Sequence, residues 1–417
     1  MIGPDMRRRR LLRPVVDGLV ALAAVLYLTA AMADGDDAPA VAASPTAAAP
    51  SAAATPVSSA AAPVSPERAV EERVQRTLDA QSRALLAGDL ETYLKPVHSS
   101  LREQFTLRFG SLRALGVAAW TARVAERPRA EGNDRWSMIV EIRYCLAAAD
   151  CAPTSLVLNS TWSVGALPPV IVEFERTVLP WDLTPLQAVS GRRVIVAGPA
   201  ETAGRLPFFR TAADRAADIA DRYARWDPAP KRYVVFVAAP EQWATWWNGT
   251  TETIDAYAEG SKGIVVKAAE SQDDGLVNLL THEFAHVLSL GDNGADGRDW
   301  WLSEGFAEYV ADRDGSWTKN RLPRVRRFVG DGRWDGTVTL AAPPKGTTAA
   351  DRIARYGIAL LTVTCLAGHF GEDKLVAFFT AVIRNRSDPP AASPGTLGAD
   401  WPGVATACAA EVRSRAA

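Results

Sequence analysis

Two of the four histidines in this chain fall in one short run, Thr281-His282-Glu283-Phe284-Ala285-His286. Around it, Leu276, Val277, Leu279, Leu280, Phe284, Ala285, Val287 and Leu288 recur at helical spacing. Ser271, Asp273 and Asp274 supply start signals and Gly291 a stop, which predicts an amphipathic helix over residues 275–290. Positions i and i+4 share a helix face, so His282 and His286 can grip one metal ion together. Glu283 then projects beside the open coordination position, where a carboxylate can take a proton from water. A zinc site of catalytic type needs a third protein ligand. The next candidate is Trp301-Leu302-Ser303-Glu304-Gly305-Phe306-Ala307-Glu308-Tyr309, a second helix with carboxylates at i and i+4. Glu304 can be that ligand, and Glu308 can orient one histidine through its second ring nitrogen. Residues 291–299, rich in Gly, Asn and Asp, make the turn between the two helices.

HEFAH followed by WLSEGFAEY resembles the gluzincin zinc metallopeptidases, in particular the peptidase MA-like group and the aminopeptidase-N-type core. The resemblance covers roughly the last half of the chain. It implies a zincin-like fold, Zn2+ held by His282, His286 and Glu304, Glu283 as general base, and Glu308 as the acid behind the ligands. Arg355-Tyr356-Gly357-Ile358-Ala359 opens a helical stretch running to His369. It resembles the family's helix bearing a tyrosine that stabilises the transition state, which falls on Tyr356. By pattern alone, a tyrosine in an apolar helical stripe is equally a core residue. Three departures stand beside the resemblance. His286 and Glu304 are eighteen positions apart, one fewer than is common in aminopeptidase-N-type enzymes. The GxMEN exopeptidase motif is absent, and so is the NExxSD arrangement of thermolysin-like enzymes.

The implied activity is hydrolysis of peptide bonds in a peptide or protein substrate. The alternative is an inactive zincin-fold envelope protein that binds zinc, a partner or a sensed ligand and cleaves nothing. An intact Glu283 argues against it, and no cysteine lies near the motif to close a purely structural site.

Ahead of this region, Met6-Arg7-Arg8-Arg9-Arg10-Leu11-Leu12-Arg13 precedes an apolar run over residues 15–32, interrupted by Asp17. The clean stretch falls short of the roughly 20 residues a spanning helix wants, and Ala31-Met32-Ala33 offers a cleavage site. Residues 1–33 read as a signal peptide or signal anchor. The arginines stay inside, which places the rest outside the cytoplasm, secreted or anchored to the membrane. Residues 34–65, dominated by Ala, Pro, Ser and Thr, read as a disordered linker. A formal charge of −2 gives no electrostatic case for nucleic acid. Cys145 and Cys151 are close enough for a hairpin disulfide and Cys365 could pair with Cys408, with free buried thiols as the alternative.

The expected fold class is α+β in two parts. Residues 66–185 begin with a helix at Pro66, turn at Gly88-Asp89-Leu90, and continue with strands over 117–124, 136–145, 155–164 and 170–178. Helices followed by a curved antiparallel sheet, with the opening ALLAGDLETYL, resemble the nuclear-transport-factor-like fold. That resemblance implies a spacer or ligand-binding module without chemistry, in which His98 is a structural or surface residue. Residues 190–417 form the peptidase-like part. Strands are expected over 194–197, 233–238 and 263–267, with a helix over 212–226 and a short Trp-rich one over 242–247. Gly263-Ile264-Val265-Val266 reads either as an edge strand that pairs with extended substrate or as an ordinary core strand. Beyond Trp301 the chain is mainly helical. A short basic helix opens at Leu322-Pro323, followed by helices over 349–369, 374–386 and 404–416. Asp388-Pro389-Pro390 and Ser393-Pro394-Gly395 mark a loop. His369, at a helix end, reads as a cap that suits the dipole.

Overall fold

Pro66 opens the first helix, α1 (Pro66–Ala87). Ser65 caps it by accepting from the Arg68 amide, and Gly88, at φ 79°, ends it in the left-handed conformation that glycine takes without cost. With α2 (Leu90–Leu94) and α3 (Arg102–Ala114), it precedes an antiparallel sheet. The sheet comprises β1 (Val117–Val124), β2 (Arg129–Gly132), β3 (Arg135–Leu146), β4 (Thr154–Ser163) and β5 (Val170–Phe174), in the order β1-β3-β4-β5 with β2 also on β3. Met138, Val140, Ile142 and Tyr144 alternate along β3 into the core, so one face of the strand is buried. The computed structural model describes residues 65–149, 151, 153–249, 254–260, 263–268, 273–290 and 299–417. The expected leader, residues 1–33, and the linker as far as residue 64 lie outside the described residues.

After the single turn α4 (Pro180–Leu183) comes a second sheet: β6 (Gln187–Ser190), β7 (Val194–Gly198), β8 (Tyr233–Ala238), β9 (Ala256–Ala258) and β10 (Ile264–Lys267). Its order is β6-β7-β8-β10-β9, with the inner three strands parallel and both outer ones antiparallel. This settles the position of Gly263–Val266. The strand is bonded on both sides, to β8 and to β9, so it is not the edge; Ala256–Ala258 is. Ile264, Val265 and Val266 are fully buried, as expected of an interior parallel strand covered on both faces.

One face of this second sheet, through Val194, Val196, Val235, Val237, Ile264 and Val266, packs on α5 (Leu206–Ala220) and α7 (Asp273–Leu290). The other, through Ile195, Ala197, Phe236, Ala238 and Val265, enters the core that also holds Trp120, Tyr144, Trp162 and Trp181. Trp243, on α6 (Pro240–Thr245), joins it there. The two halves of residues 62–417 therefore each own a sheet yet share one core, and together they form one compact unit. Within the first half Arg108 of α3 and Asp182 of α4 form an ion pair only 3% and 1% exposed.

The rest is helical: α8 (Trp300–Ala311), α9 (Ser316–Gly330), α10 (Ala349–Phe370), α11 (Glu372–Phe379), α12 (Pro389–Thr396) and α13 (Trp401–Ala416). They enclose Trp301, Phe306, Leu361, Phe378 and Trp401. α10 is long and apolar enough to cross a membrane, but here it is a core helix. Three expected boundaries move. α5 opens at Leu206 rather than at 212, with Pro207 in a first turn that needs no amide donor. α9 opens at Ser316 and carries Pro323 in its interior. The Pro-rich stretch after Asp388 is the helix α12 rather than a loop, its two leading prolines again occupying the first turn. Both disulfides are present: Cys145–Cys151 from the end of β3, and Cys365–Cys408 tying α10 to α13.

Candidate metal centre

The pattern of α7 explains how the motif is presented. Leu276, Leu280, Phe284 and Leu288 lie on one face and bury against the sheet and α5. Phe284 stacks on Tyr233 of β8 with ring centroids 4.1 Å apart. The opposite face then turns His282 and His286 toward α8. Gly305, inside α8, lets that helix approach α10 closely, since a Cβ there would meet the Ala359 carbonyl oxygen at 2.6 Å. A helical glycine costs about 1 kcal/mol relative to alanine. The close approach it permits brings Glu304 and Glu308 between α7 and Tyr356.

Three atoms converge. His282 Nε2 and His286 Nε2 lie 3.1 Å apart, and Glu304 Oε2 is 3.1 Å from the first and 3.2 Å from the second. His282, His286 and Glu304 could hold a metal ion together. The triangle is small enough that all three atoms would lie within bonding distance, about 2.0–2.2 Å, of a single ion. Two imidazole nitrogens and a carboxylate oxygen make a donor set that suits zinc and other first-row metals. Two ring nitrogens facing each other can share at most one proton, whereas one cation satisfies all three lone pairs.

The neighbours are anionic. His282 Nδ1 lies 3.3 Å from Glu308 Oε1, close enough for an ion pair but not aligned as a hydrogen bond. Glu308 is 1% exposed and accepts two hydrogen bonds from Arg321, each 2.8 Å. Burial works against charge on His282, yet the hydrogen-bonded Glu304 and the close carboxylate of Glu308 outweigh it and lift the imidazole to about 10. Burial also opposes charge on Glu304, but the two histidines hold it well below the usual carboxylate range. Glu308 is lowered to about 2, because Arg321 overcomes its burial. The centre is thus built to hold positive charge. Glu283, buried and with no hydrogen-bond partner among the described residues, is pushed up by burial, partly offset by the histidines.

No family model and no curated protein matches the chain. The reading of the site therefore rests on its own geometry.

Tyr356 is placed beside the centre, its ring 6.1 Å from that of His282 and 5.0 Å from that of Trp300. Burial, then the carboxylates Glu304, Glu308 and Glu283, push its phenol well above the ordinary value, so it is a hydrogen-bond donor at neutral pH. The two remaining histidines stand elsewhere. His98 bonds locally to Ser100, and exposed His369 lies in the last turn of α10, 3.8 Å from Glu411. Cys365 lies near His369 and Glu411, but its sulfur is spent in the disulfide. Sequence reasoning missed Arg321. The signal available was Trp317 four residues earlier, on which the guanidinium stacks at 4.2 Å; Lys319, Arg324, Arg326 and Arg327 around it concealed which cation turns inward.

Proposed function

We propose that this protein is a zinc-dependent metallopeptidase of gluzincin type, with a zincin-like fold over residues 190–417 and a nuclear-transport-factor-like module over 66–185. The observation that carries the reading is the convergence of His282, His286 and Glu304, with a buried Glu283 that has no ion-pair partner among the described residues next to the first ligand. Zinc, when bound, supplies a Lewis acid that acidifies water and polarises a carbonyl. The chain's own groups do the rest. Glu283 takes a proton from the attacking water and later passes it to the leaving amine. Glu308 holds the His282 ring in place, and Tyr356 donates a hydrogen bond to the oxygen on which charge develops. An extended substrate adds to the sheet at Ala256–Ala258, whose outer side no other strand covers among the described residues. The paired cysteines suit an extracytoplasmic protein, secreted or membrane-anchored through residues 1–33.

Metal content of the purified protein, measured by mass spectrometry beside His286→Ala, tests the reading. One zinc per chain is expected, lost in the variant. A folded wild type that takes up no zinc would instead favour the inactive envelope protein. Tyr356→Phe is expected to keep the metal and to lower kcat about 100- to 1000-fold, the usual effect of losing one oxyanion donor. An unchanged kcat would leave Tyr356 as a core residue only.

A further inference from the structure

Arg321 lies inside the protein, with 14% of its side chain exposed. We infer that Arg321 is a positioning residue of the metal centre, which fixes Glu308 against His282 and so sets metal affinity without touching the metal. The inference rests on the metallopeptidase reading for the identity of the ligands.

The guanidinium meets the carboxylate as a fork: Nε donates to Glu308 Oε2 and Nη2 to Glu308 Oε1, each at 2.8 Å. Two parallel bonds fix the plane of the carboxylate, which a single bond leaves free to rotate. Oε1 is the same oxygen that faces His282 Nδ1 at 3.3 Å. His282 Nδ1 has no aligned hydrogen bond, so Glu308 is the group beside it that can set the ring's rotation. Arg321 is in turn immobilised. Its guanidinium lies 4.2 Å from the Trp317 ring and 5.8 Å from the Tyr356 ring. Gly357 keeps α9 hard against α10, since a Cβ there would meet Val325 Cγ2 at 2.4 Å. Asn278 of α7 donates to Ser316 at the start of α9 at 2.9 Å. Four helices are thus tied around one guanidinium, which reaches the ligand side through Glu308 and the tyrosine through its ring.

A counter-ion that merely allowed Glu308 to be buried would affect folding alone. A positioning residue alters the metal. The two roles separate in the intact protein, with Zn2+ and Co2+ as probes, by chelator competition, the Co2+ absorption spectrum and the melting temperature of the metal-free form. Arg321→Met is expected to weaken metal binding about 10- to 100-fold, the usual range for outer-shell groups, and to alter the Co2+ spectrum. Arg321→Lys should recover only part of the affinity, because an ammonium cannot span both oxygens. Adding Arg321→Met to Glu308→Gln should weaken the metal no further than Glu308→Gln alone. Wild-type affinity and spectrum in Arg321→Met, with only the melting temperature lowered, would overturn the inference and leave the metal reading intact. Should Arg321→Met fail to fold, Arg321→Lys decides: unchanged affinity and spectrum there sink the proposal. A wild type without stoichiometric metal would overturn the metal reading and this inference with it.

Discussion

Glu283→Gln is expected to bind metal like the wild type and to lose hydrolysis by about 100- to 10 000-fold, the range that a positioned general base contributes. The glutamine amide has the shape of the carboxylate but cannot take a proton from water. Glu283 is not among the three converging atoms, so removing its charge takes no ligand from the ion. The site also tolerates the exchange structurally. Glu283 has no ion-pair partner among the described residues, and burial already disfavours its charge. The variant should therefore fold at least as stably as the wild type, which separates a catalytic loss from a folding loss. The measurement pairs zinc stoichiometry with turnover of whichever peptide the wild type cleaves. Full turnover by Glu283→Gln would exclude the proposed proton transfer, and loss of zinc would show that the carboxylate holds the metal.

The parts of this centre that could be read from sequence are those set by helix periodicity. His282 and His286 share a face because they are four apart, and Glu304 and Glu308 do so for the same reason. Leu276, Leu280, Phe284 and Leu288 fix which face of α7 turns inward, so the direction of the histidines follows from the apolar pattern. What could not be read depends on contacts between distant segments. Arg321 meets Glu308 because α9 crosses α10 at Gly357, and no local pattern encodes that crossing. The edge strand Ala256–Ala258 is three residues long, too short for any alternation to reveal, whereas the buried run Ile264–Val266 reads the same at an edge or in an interior. The shared core was hidden likewise. Ile195, Phe236 and Val265 point to one face of their sheet, but only the fold shows that Trp120 and Trp181 cover it.

The largest cost expected of a single substitution falls on the buried ion pair between α3 and α4 of the first half. Asp182→Ala is expected to destabilise the protein by about 3–5 kcal/mol, because it strands the buried Arg108 guanidinium without its counter-charge. In the wild type Arg108 Nε and Nη2 reach the two carboxylate oxygens at 2.5 and 2.9 Å, and Thr177 also donates to Asp182. The alanine leaves two buried donors facing an apolar gap lined by Phe105 and Phe174, whose ring centres lie 5.4 and 5.0 Å from the guanidinium carbon. The bonds that Thr184 receives, from Ser111 at its carbonyl and from Trp246 at its hydroxyl, cannot supply a negative charge. By contrast, Asp218→Ala removes an equally close ion pair with Arg192 that is 62% and 50% exposed, and should cost no more than about 1 kcal/mol. Urea midpoints of the two variants decide the matter, provided the slope of the transition is unchanged. The double variant Arg108→Met/Asp182→Leu should regain most of the loss, since an apolar pair of similar volume leaves no buried charge unpaired and only the Thr177 hydroxyl without its acceptor. Equal midpoints for Asp182→Ala and Asp218→Ala would mean that water reaches the Arg108 site and that its guanidinium is not stranded in the variant.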